Sequence, residues 1–275
     1  MNVESRLYRI GGHTVRARLE QPWTFKALSE QQLELVARLK AGEDIGIESV
    51  PADRQEQLSV NDALMGKEAM TRAIWDTLDE TERSEYRHAL DFLQYAPFEV
   101  AEGEPLFTLT VHAEAPSWIE ETRPQWKIAT AVDELPPFYY GYTFEDKTIY
   151  EFLPARDVRA GYFVMNKDYT VGDYYPCPRV GGKITLFQVN TSLMIQYTFA
   201  TAGLDTLLLH ASVTRYQGKG NLFFGVSGTG KSTHSRLWHE FVPESDLMND
   251  DNPIIRCQDG EFLVYGSPWS GKTLC

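Results

Sequence analysis

Residues Gly225–Thr233 read Gly-Val-Ser-Gly-Thr-Gly-Lys-Ser-Thr, a spacing of glycine, lysine and hydroxyl that suits phosphate chemistry. Gly225, Gly228 and Gly230 allow positive φ and let the backbone approach a ligand with no Cβ in the way. Backbone N–H groups along Gly225, Val226, Ser227, Gly228, Thr229 and Gly230 then converge on phosphate oxygens, at the positive end of a helix opened by Lys231, Ser232 and Thr233. In such a loop the lysine, Lys231, reaches the β- and γ-phosphates, and the hydroxyl of Ser232 sits on Mg²⁺. The context this chemistry needs is a strand before and a helix after. Asn221–Val226 is a short apolar run rich in strand formers, and Ser232–Trp238 opens a helical pattern with Leu237, Trp238 and Phe241 available to a core.

Gly266-Ser267-Pro268-Trp269-Ser270-Gly271-Lys272-Thr273 fits the same spacing after the strand-like run Glu261–Tyr265. Pro268 removes an amide donor there and Trp269 puts bulk where backbone should meet phosphate. Only two residues follow Thr273, too few for a helix. This segment therefore reads as a loop near the site and not as a second cradle. An end this abrupt also leaves a C-terminally truncated core open as a reading.

Two further features lie at useful distances. Asn249-Asp250-Asp251-Asn252 follows the loop's helix, where an acidic residue commonly holds Mg²⁺ or its water. Adjacent carboxylates can divide the labour, one on metal and one taking a proton from an attacking hydroxyl. His210 stands in the apolar run Leu207–Val213, where a polar side chain demands a partner.

These residues need elements to hold them. The 275 residues, 43% hydrophobic and 12% aromatic, suit one large or two ordinary domains with a real core. The net charge of −13 argues against nucleic acid or an acidic membrane surface as partner. From Thr206 on, six Lys/Arg stand against seven Asp/Glu, so the part that would meet a polyanion is nearly neutral. Cys177, Cys257 and Cys275 are few, odd in number and far apart, which speaks against a disulfide framework or a zinc cluster. The N-terminus carries no apolar signal core, and no run approaches the ~20 apolar residues that span a bilayer. A cytoplasmic protein with no membrane partner is the expectation.

Along the chain, Leu7–Leu19 reads as a hairpin around Gly11-Gly12. A helix is expected from Ser29, with Ser29 and Gln32 as a capping box, then a loop over 41–59 and helical patterns over 61–95. Phe107–Val111 alternates as a strand. Residues 138–175 hold many aromatics between polar turns, which favours cross-strand packing over a ligand platform. Residues 187–203 read as a mostly buried helix and Thr206–Tyr216 as one strand. Gln217–Gly220 reads as a turn, followed by Asn221–Val226 and strands near Leu247-Met248, Ile254–Cys257 and Phe262–Tyr265. A boundary is expected near residue 204. The fold class is thus mixed α/β (α+β): a larger β-rich domain over 1–203, then a P-loop core over 204–275.

The order His210-Ala211-Ser212, a hairpin, Phe223–Thr233 and then Asn249-Asp250-Asp251 resembles the catalytic core of the HPr kinase / ATP-dependent phosphoenolpyruvate carboxykinase superfamily. The resemblance covers about residues 204–271 and implies a phosphoenolpyruvate-carboxykinase-like P-loop core. It implies that Lys231 and the loop amides bind ATP phosphates, that Ser232 and Asp251 bind Mg²⁺, that Asp250 is the base, and that His210 lies beside the metal or the transferred phosphoryl. The basic signature and C-terminal helices of HPr kinases are not in the sequence, and carboxykinases are much longer. The chain resembles best the HPr-kinase-like proteins of unassigned substrate, some of which phosphorylate small hydroxyl compounds such as free serine. The expected activity is ATP- and Mg²⁺-dependent phosphoryl transfer to a protein serine or a small metabolite. A nucleotide-binding regulatory or scaffold protein is the alternative, and a carboxykinase a third reading. No Leu-Ser-Gly-Gly signature of ABC-type ATPases occurs, and Asn166-Lys167-Asp168 stands on the wrong side of the loop for guanine readout.

Overall fold

The computed structural model describes residues 4–20, 95–132, 138–153, 159–177, 186–226 and 228–270. The helix expected from Ser29, the loop over 41–59 and all but Tyr95 of the helical patterns expected over 61–95 lie outside the described residues. The described chain is mixed α/β, mostly strands with few helices. No helix among the described residues is long and apolar enough to cross a membrane. Two compact units divide the chain: Met1–Trp23 with Pro97–Leu207, and Thr24–Ala96 with Leu208–Cys275. The sequence places a boundary near residue 204; the division falls between Leu207 and Leu208.

The first unit is built on a nine-stranded sheet. Its strands are β1 (Glu4–Ile10), β2 (His13–Leu19), β3 (Glu99–Val100), β4 (Phe107–Val111), β5 (Lys127–Val132), β6 (Phe138–Phe144), β7 (Lys147–Leu153), β8 (Gly161–Met165) and β9 (Val171–Pro176). They lie in the order β3-β1-β2-β4-β9-β8-β7-β6-β5. The expected hairpin closes at Gly11 and Gly12, both at positive φ, as a two-residue turn matching the sheet's twist requires. Strand β2 is parallel to β4 and β4 to β9; the other pairings are antiparallel. Helix α1 is the short Trp118–Thr122, and α2 (Leu186–Thr201) packs on β4, β8 and β9. Helix α2 buries Val189, Leu193 and Tyr197 along one line, and a Cβ at Gly172 of β9 would overlap the Gln196 amide. The aromatic density serves packing: Tyr150, Phe152, Tyr162 and Phe163 are buried in the sheet's core.

A buried charge cluster sits in this unit. The Glu151 carboxylate, 1% exposed, accepts hydrogen bonds from Arg123 Nη2 (2.9 and 3.0 Å), Arg159 Nε (2.6 Å) and Tyr142 Oη (3.0 Å). Burial, followed by the Glu151 charge, pushes the Tyr142 phenol up to about 12.

Strand β10 (Thr206–Leu208) carries the division between the units. The second unit then contains β11 (Ala211–Tyr216), β12 (Lys219–Phe224), α3 (Lys231–Phe241), β13 (Asp246–Asn249), β14 (Ile254–Gln258) and β15 (Glu261–Tyr265). One strand expected over Thr206–Tyr216 is in fact two. The Leu209 N–H donates to the Pro253 carbonyl at 3.0 Å and the Ala211 N–H to the Asp251 carbonyl at 3.0 Å. These bonds bend the chain at His210. The turn expected over Gln217–Gly220 is only Gln217-Gly218, both at positive φ, and Lys219 and Gly220 already pair with β11. The Asp259-Gly260 turn closes the β14–β15 hairpin in the same way.

Candidate functional site

Strand topology brings the candidate residues together. Strand β11 lies between β12 and β13 and runs antiparallel to both. The ends of β12 and β13 therefore emerge at the edge where β11 begins. Ala211 pairs with Phe224, and Val213 with Asn249. The glycine-rich loop that ends at Lys231 leaves β12 at that edge, Asp250-Asp251 leave β13 there, and His210 precedes β11 there. Side-chain alternation then sorts the faces. Ser212, Thr214 and Tyr216 share a face with Phe223, whose ring packs on His234 (4.5 Å) and Trp238 (5.8 Å) of α3. Helix α3 thus docks through His234, Ser235 and Trp238. Leu237 and Phe241, expected to face a core, are 41% and 68% exposed: the buried side of the helix is centred on Ser235, and two and six residues on from it the chain points well away from that side.

Within the loop the Thr229 N–H donates to the Val226 carbonyl at 3.3 Å. Gly228 (φ 83°) and Gly230 (φ 90°) hold conformations that L side chains rarely adopt. Gly225 serves a different need from the one expected: it is not among the positive-φ residues, and a Cβ there would fall 2.5 Å from Thr229 Oγ1. Thr229 Oγ1 donates to the Val226 carbonyl at 2.9 Å and closes the loop on itself. Lys231 Nζ donates to the Gly225 carbonyl (2.9 Å) and the Val226 carbonyl (3.3 Å), so the ammonium rests over the loop's mouth. Gly230 caps α3 without a side chain, and no acidic residue stands in the first turn. No carboxylate of the helix's own first turn therefore competes for its positive end. Ser232 and Thr233 are exposed in that turn, and Ser227 lies outside the described residues.

The acidic turn is held from three sides. His210 Nε2 lies 3.3 Å from Asp251 Oδ1, with both side chains about half exposed. Burial raises the Asp251 carboxyl above its usual range; His210 opposes this, Asp250 adds to it, and Lys231 opposes it. Lys231 is thus within electrostatic reach of Asp251. Asn249, fully buried, accepts the Asp251 N–H at Oδ1 (3.0 Å) and donates from Nδ2 to the Ser267 carbonyl (3.3 Å) and hydroxyl (3.2 Å). Ser270 Oγ accepts the Asp250 N–H at 3.2 Å, and Asn252 Nδ2 donates to the Trp269 carbonyl at 3.1 Å. Trp269 Nε1 donates to Tyr95 Oη at 2.8 Å.

The glycine-containing segment after β15 therefore braces the acidic turn. Pro268 and Trp269, wrong for a cradle, are buried as a wedge. Gly271, Lys272 and Thr273 lie outside the described residues.

Asp250 has a partner that the sequence pattern does not signal. Its Oδ1 accepts the Ser212 hydroxyl at 2.9 Å, and Ser212 Oγ lies 2.6 Å from Ser235 Oγ. The available hint is one buried serine in each element, Ser212 in β11 and Ser235 one turn into α3, where apolar residues would be usual. Among the described residues no group of three or more His, Cys, Asp and Glu side chains is placed to hold a metal ion.

No family model, no curated protein and no solved structure matches this chain.

Proposed function

We propose that the chain is an ATP- and Mg²⁺-dependent phosphotransferase, with a P-loop core like that of HPr kinases and ATP-dependent phosphoenolpyruvate carboxykinases, acting on a hydroxyl acceptor. The observation that carries this reading is the meeting of Lys231's loop, the Asp250-Asp251 turn and His210 at one sheet edge. A glycine-rich turn with no ligand explains the glycines. It does not explain an uncapped helix end, a lysine over the loop's mouth and the Asp251 carboxylate within that lysine's field.

The donor set fits the partners. Loop amides and the N-terminus of α3 supply N–H groups and positive potential for phosphate oxygens. Lys231 leaves the Gly225 and Val226 carbonyls and pairs with β- and γ-phosphate oxygens. Ser232 and Asp251 are hard oxygen donors that would hold Mg²⁺, which would supply positive charge against the phosphates. Asp250, its backbone fixed by Ser270, accepts the proton of the attacking hydroxyl. The acceptor oxygen forms a bond to the γ-phosphorus, the bond to the β,γ-bridging oxygen breaks, and ADP leaves with that electron pair. His210 holds Asp251 against the metal side.

The test is transfer from γ-labelled ATP to a panel of serine, other hydroxyl metabolites and HPr-like proteins. Labelling of one acceptor, lost in Lys231→Ala, supports the reading. ATP binding with no transfer to any acceptor moves the protein to a regulatory role, and unchanged nucleotide affinity in Lys231→Ala removes the site itself. Transfer by Asp250→Asn at the wild-type rate removes the base.

A further inference from the structure

We propose that Ser212 and Ser235 are positioning residues: a buried hydroxyl relay that aims the Asp250 carboxylate and ties it to the helix begun by the phosphate loop. The proposal rests on the phosphotransferase reading for its catalytic consequence. The two hydroxyls are almost fully buried, Ser212 at 0% and Ser235 at 1% exposure. A hydroxyl buried without a partner is costly, whereas replacing a bonded pair by two apolar groups of the same shape is nearly neutral. Stability alone would therefore be served as well by two alanines. What the hydroxyls add is the third member of the chain, Asp250.

Proton counting fixes the direction. An ionised carboxylate only accepts, so the one proton of Ser212 points at Asp250 Oδ1. Ser212 then has only a lone pair for Ser235, and Ser235 is the donor across the 2.6 Å contact. Both dipoles point at Asp250. With its backbone N–H on Ser270 Oγ and its carboxylate on Ser212, Asp250 is held at both ends. Ser235 is four residues from Lys231, on the same side of α3. A shift of the first turn of α3 therefore reaches Asp250 through two hydrogen bonds.

The experiment compares Ser212→Ala, Ser235→Ala, Asp250→Asn and the Ser212→Ala/Asp250→Asn double variant, using the acceptor found above and Mg·ATP. Misplacing a reacting group by about an ångström costs on the order of a hundredfold. Ser212→Ala is expected to lower kcat by about ten- to a hundredfold with KM for ATP unchanged, and Ser235→Ala by less. In the Asp250→Asn background Ser212→Ala is expected to cost nothing further. A loss of the same factor in both backgrounds, a change confined to KM, or no loss overturns the relay. Should wild-type protein bind Mg·ATP and transfer nothing, the phosphotransferase reading fails. The relay is then decided by urea denaturation of the same four proteins: additive losses of Ser212→Ala and Asp250→Asn overturn it, and non-additive losses uphold the tie.

Discussion

Replacing Asn249 by aspartate keeps the shape of a fully buried side chain and reverses half of its hydrogen bonding. The Asn249 Oδ1 contact to the Asp251 N–H (3.0 Å) survives. The Nδ2 position, which donates to the Ser267 carbonyl and hydroxyl, becomes an acceptor facing two acceptors. Ser267 cannot turn to help, because its proton is committed to the Asn252 carbonyl at 2.5 Å. Two lost hydrogen bonds cost about 2 kcal/mol. A buried charge left unpaired, in the field of Asp250 and Asp251, brings the total at neutral pH to about 4 kcal/mol. The introduced carboxyl has its folded-state pKa raised by burial above an unfolded value of about 3.9. The sign follows: the penalty is smallest at low pH, where the protonated acid restores one donor. It grows by about 1.4 kcal/mol per unit as pH rises, and levels off above the folded value. Asn249→Ala instead orphans the Asp251 N–H and the Ser267 carbonyl at a pH-independent cost of about 2–3 kcal/mol. Urea denaturation followed by tryptophan fluorescence between pH 4 and 7 reads both. An Asn249→Asp protein as stable as wild type at pH 7, or a penalty flat across that range, would refute the bracing of the acidic turn by the Ser267 segment.

Three further outcomes are expected. Gly230→Ala, at φ 90°, should cost about 1–2 kcal/mol of loop strain and weaken ATP binding about tenfold in a fluorescent-nucleotide titration. His112 has Glu20 at 3.0 Å on Nδ1, Asp173 at 2.7 Å on Nε2 and Tyr175 stacked at 4.6 Å; the Asp173 hydrogen bond raises its pKa, burial opposes this, and the Asp173 and Glu20 charges add to it. Its stabilisation is present in full below about pH 6.5 and is lost as pH climbs through the raised value, so the stability gap between wild type and His112→Gln should close between pH 6 and 9 in denaturation curves. Glu151→Gln leaves Arg123 and Arg159 without their buried carboxylate and should cost about 3 kcal/mol in the same assay.

Much of the β structure was legible because it is local. The pair Gly11-Gly12 announced the first hairpin, and alternation at Phe107–Val111 announced β4. Helix α3 was legible from Lys231 onward, but its buried face was not. Leu237 and Phe241 look like core residues until the docking of Trp238 on Phe223 and Tyr216 shows which face is covered. The break at His210 was hidden for a related reason. Leu207–Val213 is apolar throughout, and only the carbonyls of Asp251 and Pro253, some forty residues later, decide where pairing stops.

At the site, the sequence alone determined the chemistry on offer: glycines, a lysine and a hydroxyl in one loop, and two carboxylates nineteen residues after Lys231. These are covalent spacings, fixed before folding. Only the tertiary structure decided that β11 runs antiparallel between β12 and β13, so that three distant segments share one edge. It also assigned Ser212, Ser235, Asn249 and Ser267 to the support of Asp250 and Asp251. Serine and asparagine carry no periodic signal of their own. Their roles come from which partner burial forces on them, and burial is a property of the packed chain.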